Sequence, residues 1–136
     1  MAGQGGGIGV RELAGGVLEC RSWGHLEVED VRIAQNEIDA MLDKGVRFTA
    51  ALFDGRDNES FEPGLPARWV RWAAERKHAF PRLAIVARPG PMSAVAGTLP
   101  YLLPGLRVRI FTSRDAALEW VRKVVRSSAS SRDERV

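Results

Sequence analysis

The chain has 136 residues, of which 45% are hydrophobic, and this length suits one globular domain with its own core. Its single cysteine, Cys20, excludes a framework of internal disulfide bonds. No run of about 20 consecutive apolar residues is present to span a membrane. The first residues also lack the basic-then-apolar order of a signal peptide, so we expect a cytoplasmic protein.

The formal net charge is +3, from 20 basic and 17 acidic residues. Only three of the basic residues are lysines, and the arginines are spread along the chain among acidic residues. Electrostatic binding to phosphates needs a concentrated basic face. We therefore do not expect nucleic acid to be a partner.

Both ends of the chain are unsuited to packing. Residues 1–7 include four glycines, and residues 127–136 are mostly serine and charged residues. We expect two disordered tails at 1–7 and 127–136, with one folded unit over residues 8–126.

The folded unit is predicted to begin with a β-hairpin. Apolar residues on both sides of residues 14–16, Ala-Gly-Gly, indicate two short strands joined by a glycine turn, and Gly24 is expected to end the second strand. From Glu27 onward, apolar residues at helical spacing predict an amphipathic helix that ends at Gly45.

The middle of the chain is predicted to hold two buried strands. Residues 48–53 are almost continuously apolar, which favours a central strand covered on both faces, and residues 83–87 form a second such run. Residues 54–64 are predicted to be a loop because of their Gly, Asp, Asn and Pro content. Pro66 then suits the first turn of a helix that reaches His78.

The last third is predicted to contain a segment over residues 93–103 that is helical in part, since Pro100 must end or kink it. A short strand near residues 108–111 follows. Thr112 and Asp115 then resemble a capping box that opens a final helix. Strands alternating with helices predict an α/β fold: a single domain with a mixed, mainly parallel five-stranded sheet, an amino-terminal antiparallel hairpin and about four helices.

The sequence carries no motif for catalysis or for cofactor binding. Glycine-rich nucleotide loops of the usual spacing and the Gly-x-Ser-x-Gly nucleophile motif are missing. Two histidines and one cysteine cannot complete a zinc site, and the acidic residues of 54–64 lack the spacing of a calcium loop. Nothing near Cys20 in the sequence would activate it as a nucleophile. We expect no enzyme activity, no cofactor and no metal.

Candidate contact residues follow the predicted parallel strands, because ligands and partners usually meet such sheets at the carboxyl ends of the strands. The strand ends near Asp54, Arg88 and Thr112 are expected to share one edge. The helix that begins at Pro66 adds arginines and tryptophans, and an exposed Trp72 would indicate a protein partner or a homodimer. The predicted partner-binding residues are Asp54, Arg56, Asp57, Arg68, Arg71, Trp72 and Arg88.

The segment Val108–Arg122, VRIFTSRDAALEWVR, resembles the end of STAS-type domains of the SpoIIAA-like and Sec14-related group. In that group a last strand ending in Phe-Thr precedes a helix with Ala-Leu-x-Trp. The resemblance extends more loosely over residues 17–125. It implies a non-catalytic adaptor with a protein partner, such as a regulatory kinase or phosphatase.

Many STAS-type domains carry a phosphorylatable Asp-Ser-Ser-Gly after the central strand. Here Asp54 corresponds to the acidic end of that strand, but no Ser-Ser-Gly follows it, and Ser60 has different neighbours. The resemblance therefore implies a module of this type without the usual phosphorylated serine. The alternative from the sequence is a carrier of a small ligand or lipid, or an enzyme, with a pocket between the sheet and the irregular, apolar segment 91–103.

Overall fold

The structure is a computed structural model that describes residues 5–76, 78–90, 97 and 107–123. These residues form five strands, β1 (Gly7–Leu13), β2 (Val17–Leu26), β3 (Ala50–Phe61), β4 (Arg82–Val86) and β5 (Arg107–Phe111). Within the same ranges there are three helices, α1 (Val28–Asp43), α2 (Leu65–Glu75) and α3 (114–123). None of the helices in this part of the chain is long and apolar enough to cross a membrane.

The five strands form one sheet in the order β1-β2-β3-β4-β5. β1 and β2 are antiparallel, and the other three pairs are parallel. This arrangement confirms the predicted α/β fold with its amino-terminal hairpin. The additional helix expected within 93–103 lies outside the described residues except for Gly97.

Helices pack on both faces of the sheet. Leu18 and Cys20 of β2 belong to one core cluster with Ile38 of α1 and Trp72 of α2. On the opposite face, small and branched side chains of the strands pack against α3. The strand residues of this second cluster are Val17, Ala50, Leu52, Ala84 and Val86, and the α3 residues are Ala117, Leu118 and Val121. Successive residues of a strand point to opposite faces, so β2 and β3 supply both clusters. We call the two sides the α1/α2 face and the α3 face.

The first helix forms as its sequence predicts. The backbone N–H of Glu27 donates to the carboxylate of Asp30 at 2.8 Å, which is half of a capping box. Val31 and Ile38 are fully buried on the inner side of the helix. Beyond its end, Gly45 has a φ of +89°, a conformation that glycine adopts without steric cost.

The predicted end of the second strand at Gly24 is wrong, because β2 continues through this residue to Leu26. Gly24 has a φ of +66° and lies at a register shift with β3. It also lies so close to the amino-terminal residues that an added Cβ would be 2.9 Å from the carbonyl oxygen of Gly5. Glycine here permits a bulge and a close backbone approach rather than ending the strand.

The predicted loop over residues 54–64 is also mostly wrong, because β3 extends to Phe61. Its second half pairs with β2 across two register shifts, at which turn-forming residues are tolerated. The side-chain amide of Asn58 donates to the carbonyl oxygens of Gly24 and Ser60, at 2.9 and 3.1 Å. A residue type that usually marks a loop thus stabilises an irregular strand.

Three boundaries differ by a few residues from the sequence prediction. β1 begins at Gly7, and Gly5 forms an isolated bridge with His25, so part of the predicted tail pairs with the sheet. α2 ends at Glu75 rather than His78. At the start of α3 the capping hydroxyl belongs to Ser113, whose Oγ accepts from the backbone N–H of Ala116 at 3.3 Å.

Candidate functional site

The carboxyl ends of the parallel strands lie at one edge of the sheet, as the sequence predicts. Asp54 of β3 is in register with Val86 of β4, which is in register with Phe111 of β5. β4 and β5 end at this level, so the exposed residues Arg88 and Thr112 that follow them lie at the same edge, whereas β3 continues beyond Asp54 to Phe61.

The buried Asp54 carboxylate forms an ion pair with the partly exposed Arg56 at this edge. The Asp54 carboxylate accepts from Nε and Nη2 of Arg56 at 3.0 and 2.8 Å, and from its backbone N–H at 3.2 Å. Burial alone would raise the pKa of Asp54, but these hydrogen bonds outweigh burial and lower the pKa. The carboxylate is therefore ionised and held in an ion pair within the fold.

Glu19 connects three elements on the α3 face. It is only 2% exposed, and its carboxylate accepts from Nε of Arg11 on β1 at 2.6 Å and from Nε of Arg114 on α3 at 2.7 Å. Burial alone would raise the pKa of Glu19, but the hydrogen bonds from Arg114 and Arg11 lower it. This ion-pair cluster holds the start of α3 against the hairpin.

Exposed side chains of β2 and β3 form a patch on the α3 face. Trp23 is 44% exposed, and its register partner on β3 is Asp57. Nη2 of Arg21 donates to the Asp57 carboxylate at 2.7 Å. Next along the strands, Nδ1 of His25 and Oγ of Ser60 lie 2.7 Å apart. We call these five residues the Trp23 patch.

The Trp23 ring lies against the glycines of β1. An added Cβ at Gly7 would be 2.6 Å from Cζ2 of Trp23, and one at Gly9 would be 3.7 Å from Cζ3. The two glycines thus provide a flat backbone surface for the ring. Because this surface fixes the ring on one side, the other side is presented outward with little freedom to lose on binding.

The structure distributes the predicted partner-binding residues over different surfaces. Asp57 belongs to the Trp23 patch through its ion pair with Arg21, Arg56 is paired with Asp54, and Arg88 is exposed at the sheet edge. Arg68 and Arg71 lie instead on α2, which packs on the opposite face. The predicted residues therefore do not form one continuous site.

Trp72 is buried, so its ring does not lie on the contact surface that the sequence predicts. It is 7% exposed, and it stacks on Phe80 with ring centroids 5.7 Å apart. Arg76 covers the ring, with its guanidinium carbon 4.6 Å from the centroid. Among the described residues the exposed tryptophan is instead Trp23, which lies in β2.

A cavity of about 160 Å³ lies between α2 and the α1/α2 face of the sheet. Its described lining is almost entirely apolar, and five aromatic side chains contribute to it: Phe53, Phe61, Trp69, Trp72 and Phe80. The pocket expected from the sequence involved residues 91–103, which lie outside the described residues apart from Gly97.

The described residues offer no reactive constellation. Across residues 5–76, 78–90 and 107–123, no group of three His, Cys, Asp or Glu side chains is placed to hold a metal ion. Burial, reinforced by the charges of Glu19 and Glu37, raises the pKa of the Cys20 thiol, so it stays protonated near neutral pH.

Solved structures share this fold at low sequence identity. An uncharacterised protein of the DUF3478 family with a SpoIIAA-like fold, from Shewanella loihica PV-4, is similar with a TM-score of 0.67 and 19% identity, over 86% of this chain and 93% of that chain. The unphosphorylated anti-sigma factor antagonist SpoIIAA is similar with a TM-score of 0.59 and 17% identity, over 85% and 97%. An anti-sigma factor antagonist from Mycobacterium paratuberculosis gives 0.58 and 17%, over 88% and 96%.

A search of curated proteins gives no match. The sequence profile of the SpoIIAA-like family, in contrast, matches residues 17–122, which span β2 to α3 and so include most of the sheet. The chain therefore belongs to the SpoIIAA-like family.

Proposed function

We propose that the protein is a non-catalytic regulatory module that binds a protein partner through the Trp23 patch. Its fold is that of proteins named anti-sigma factor antagonists, which supports a regulatory role through protein contacts. The partner is then a regulatory protein, such as a kinase or phosphatase, in the cytoplasm. A second copy of this chain is the other occupant that the same patch would accept.

The exposed Trp23 is the observation that carries this proposal. Tryptophan and arginine are the residues that most often dominate the binding energy of protein interfaces. The patch places the half-exposed Trp23 ring beside the Arg21–Asp57 ion pair and the His25–Ser60 hydrogen bond. It thus combines an apolar centre with a rim of polar groups of both charges, which is typical of protein-binding surfaces.

We propose that this chain's binding to its partner is controlled without a phosphoserine at the start of α2. The residues that lead into α2, Glu62-Pro63-Gly64-Leu65, contain no hydroxyl group. The nearby Asp54 carboxylate is neutralised by Arg56. These two features replace the Asp-Ser-Ser-Gly pattern that many STAS-type domains carry.

Site-specific photo-cross-linking in the native host tests this proposal. A photoreactive phenylalanine analogue is encoded at position 23, and in a matched variant at position 71, where Arg71 is exposed on α2. Cross-linking to one discrete protein from position 23 but not from position 71 supports the proposal. Products from position 71 alone would move the contact surface to α2, and products from neither would reject a stable protein partner at these faces.

A further inference from the structure

The cavity beneath α2 is large enough for one small organic molecule. Its volume of about 160 Å³ is close to that of an engineered protein cavity, of about 150 Å³, that binds benzene. Leu18 and Cys20 line it from β2, Phe53 from β3, and Trp69 and Trp72 from α2. Aromatic side chains thus contribute to the lining from both the sheet and the helix.

Two polar side chains in the lining have unused hydrogen-bonding capacity. Trp72 and Asn58 are 7% and 5% exposed. Neither Nε1 of Trp72 nor Oδ1 of Asn58 has a hydrogen-bond partner among the described residues. Buried polar atoms without partners are uncommon and costly, so each needs an explanation. A bound group that both accepts and donates would explain both, and a hydroxyl group does both.

The charge of the lining argues against an ionic ligand. Among the described lining residues Asp54 alone carries a charge, and its carboxylate is already paired with Arg56. An anionic ligand would meet this carboxylate and find no cation in the described lining. A cationic ligand would compete with Arg56 for the Asp54 carboxylate, which Arg56 already holds through two hydrogen bonds, from Nε and from Nη2.

We propose that this cavity binds a neutral, single-ring molecule that carries a hydroxyl group, a ligand of the phenol class. The ring packs among the aromatic side chains, and the hydroxyl oxygen accepts from Nε1 of Trp72. This site lies on the α1/α2 face, so it is separate from the Trp23 patch on the α3 face. Its existence does not depend on the identity of the protein partner.

Titrations of the full chain with phenol, benzene and benzoate, followed by NMR chemical shifts of the tryptophan indole N–H groups, test the proposal. We expect phenol to bind about fivefold more tightly than benzene, as one net hydrogen bond implies, and benzoate to bind more weakly than either. In Trp72→Phe, which keeps an aromatic ring, the preference for phenol over benzene should disappear. Equal affinities in the wild type, or a preference for benzoate, would overturn the proposal.

A pair of matched variants tests whether binding occurs in this cavity. Ala73 lines the cavity, whereas Ala74 is exposed on the same helix. Ala73→Leu should fill part of the space and weaken phenol binding by roughly tenfold or more, while Ala74→Leu should leave it unchanged. Circular dichroism verifies that both variants fold. Wild-type phenol affinity in folded Ala73→Leu would place the binding elsewhere and reject the proposed site.

Discussion

Replacing Glu19 with glutamine tests the ion-pair cluster on the α3 face. Glu19 joins β1 to α3 because its buried carboxylate accepts hydrogen bonds from both Arg11 and Arg114. Glutamine has nearly the same shape but no charge, so Glu19→Gln removes the ionic part of both contacts and creates no large cavity. The variant should be less stable than the wild type, while its fold is retained.

The size of the effect follows from the exposure of the two arginines. The Arg11 side chain is 66% exposed, so its pair with Glu19 should contribute about 0.5 kcal/mol, as for surface ion pairs. The Arg114 side chain is 28% exposed, and its charge-assisted hydrogen bond should contribute about 1.5 kcal/mol. We therefore expect Glu19→Gln to lose about 2 kcal/mol of unfolding free energy near neutral pH.

The effect should also depend on pH. Because the pKa of folded Glu19 lies below its ordinary value of 4.5, the ion pairs stabilise the fold fully above that value. Their contribution is lost as the pH falls through the pKa of the folded state, where the wild type and Glu19→Gln should become equally stable.

Urea denaturation at pH 7 and in acid measures both effects, with Glu12→Gln as the control. Glu12 is an exposed carboxylate on the same hairpin, so its replacement should change stability by less than about 0.5 kcal/mol. Equal stability of Glu19→Gln and the wild type at pH 7 would refute the cluster's role. A loss that persists unchanged in acid would refute its ionic origin.

Three further predictions concern the fold. Gly24→Ala should lower the free energy of unfolding by about 2 kcal/mol or more, because its Cβ would lie 2.9 Å from the Gly5 carbonyl oxygen. Gly45→Ala has open space around its Cβ and should lose about 1 kcal/mol for its positive φ alone. Equal losses of the two variants in urea denaturation would contradict the close approach at Gly24. Leu18→Ala should lose about 3 kcal/mol of unfolding free energy in the same assay, because Leu18 of β2 is fully buried in the core cluster on the α1/α2 face. A loss below about 1 kcal/mol would contradict this packing. The Cys20 thiol should react with a disulfide reagent only as fast as the protein unfolds, and rapid labelling of the native protein would show that the residue is accessible.

The regular elements could be predicted because local sequence and tertiary packing agree there. The apolar spacing from Val31 to Ile38 matches the face that α1 buries, and the continuous apolar run that ends at Phe53 matches a strand covered on both faces. The final segment, which resembles the end of STAS-type domains, predicts the family that the profile match shows. In each case one short window contains the information that determines the structure.

The errors arose where long-range pairing overrides local preference. Gly24 and Asn58 are typical of turns, yet both lie in strands because β2 and β3 pair across bulges. No local pattern encodes those register shifts. For the same reason the sequence could not show that Arg21, Trp23 and Asp57 meet, since their contacts depend on the register.

The assignment of the tryptophans failed for a related reason. An amphipathic helix shows which side chains share a face, but Trp72 faces a partly empty interior, and its neighbour Arg76 covers the ring. Trp23 occupies a strand, where alternation alone predicts a buried or an exposed residue with equal ease. Its exposure is set by α3, which packs against Val17 and Leu52 rather than over Trp23.

A charge swap at the Arg21–Asp57 pair tests most directly whether the Trp23 patch binds the partner. The affinity of the protein captured by cross-linking is measured for Arg21→Asp, for Asp57→Arg and for the double variant, which restores an ion pair of reversed polarity. We expect each single variant to weaken binding at least about fivefold, and the double variant to regain wild-type stability without regaining affinity. Wild-type affinity in all three variants would contradict the central claim that this surface contacts the partner.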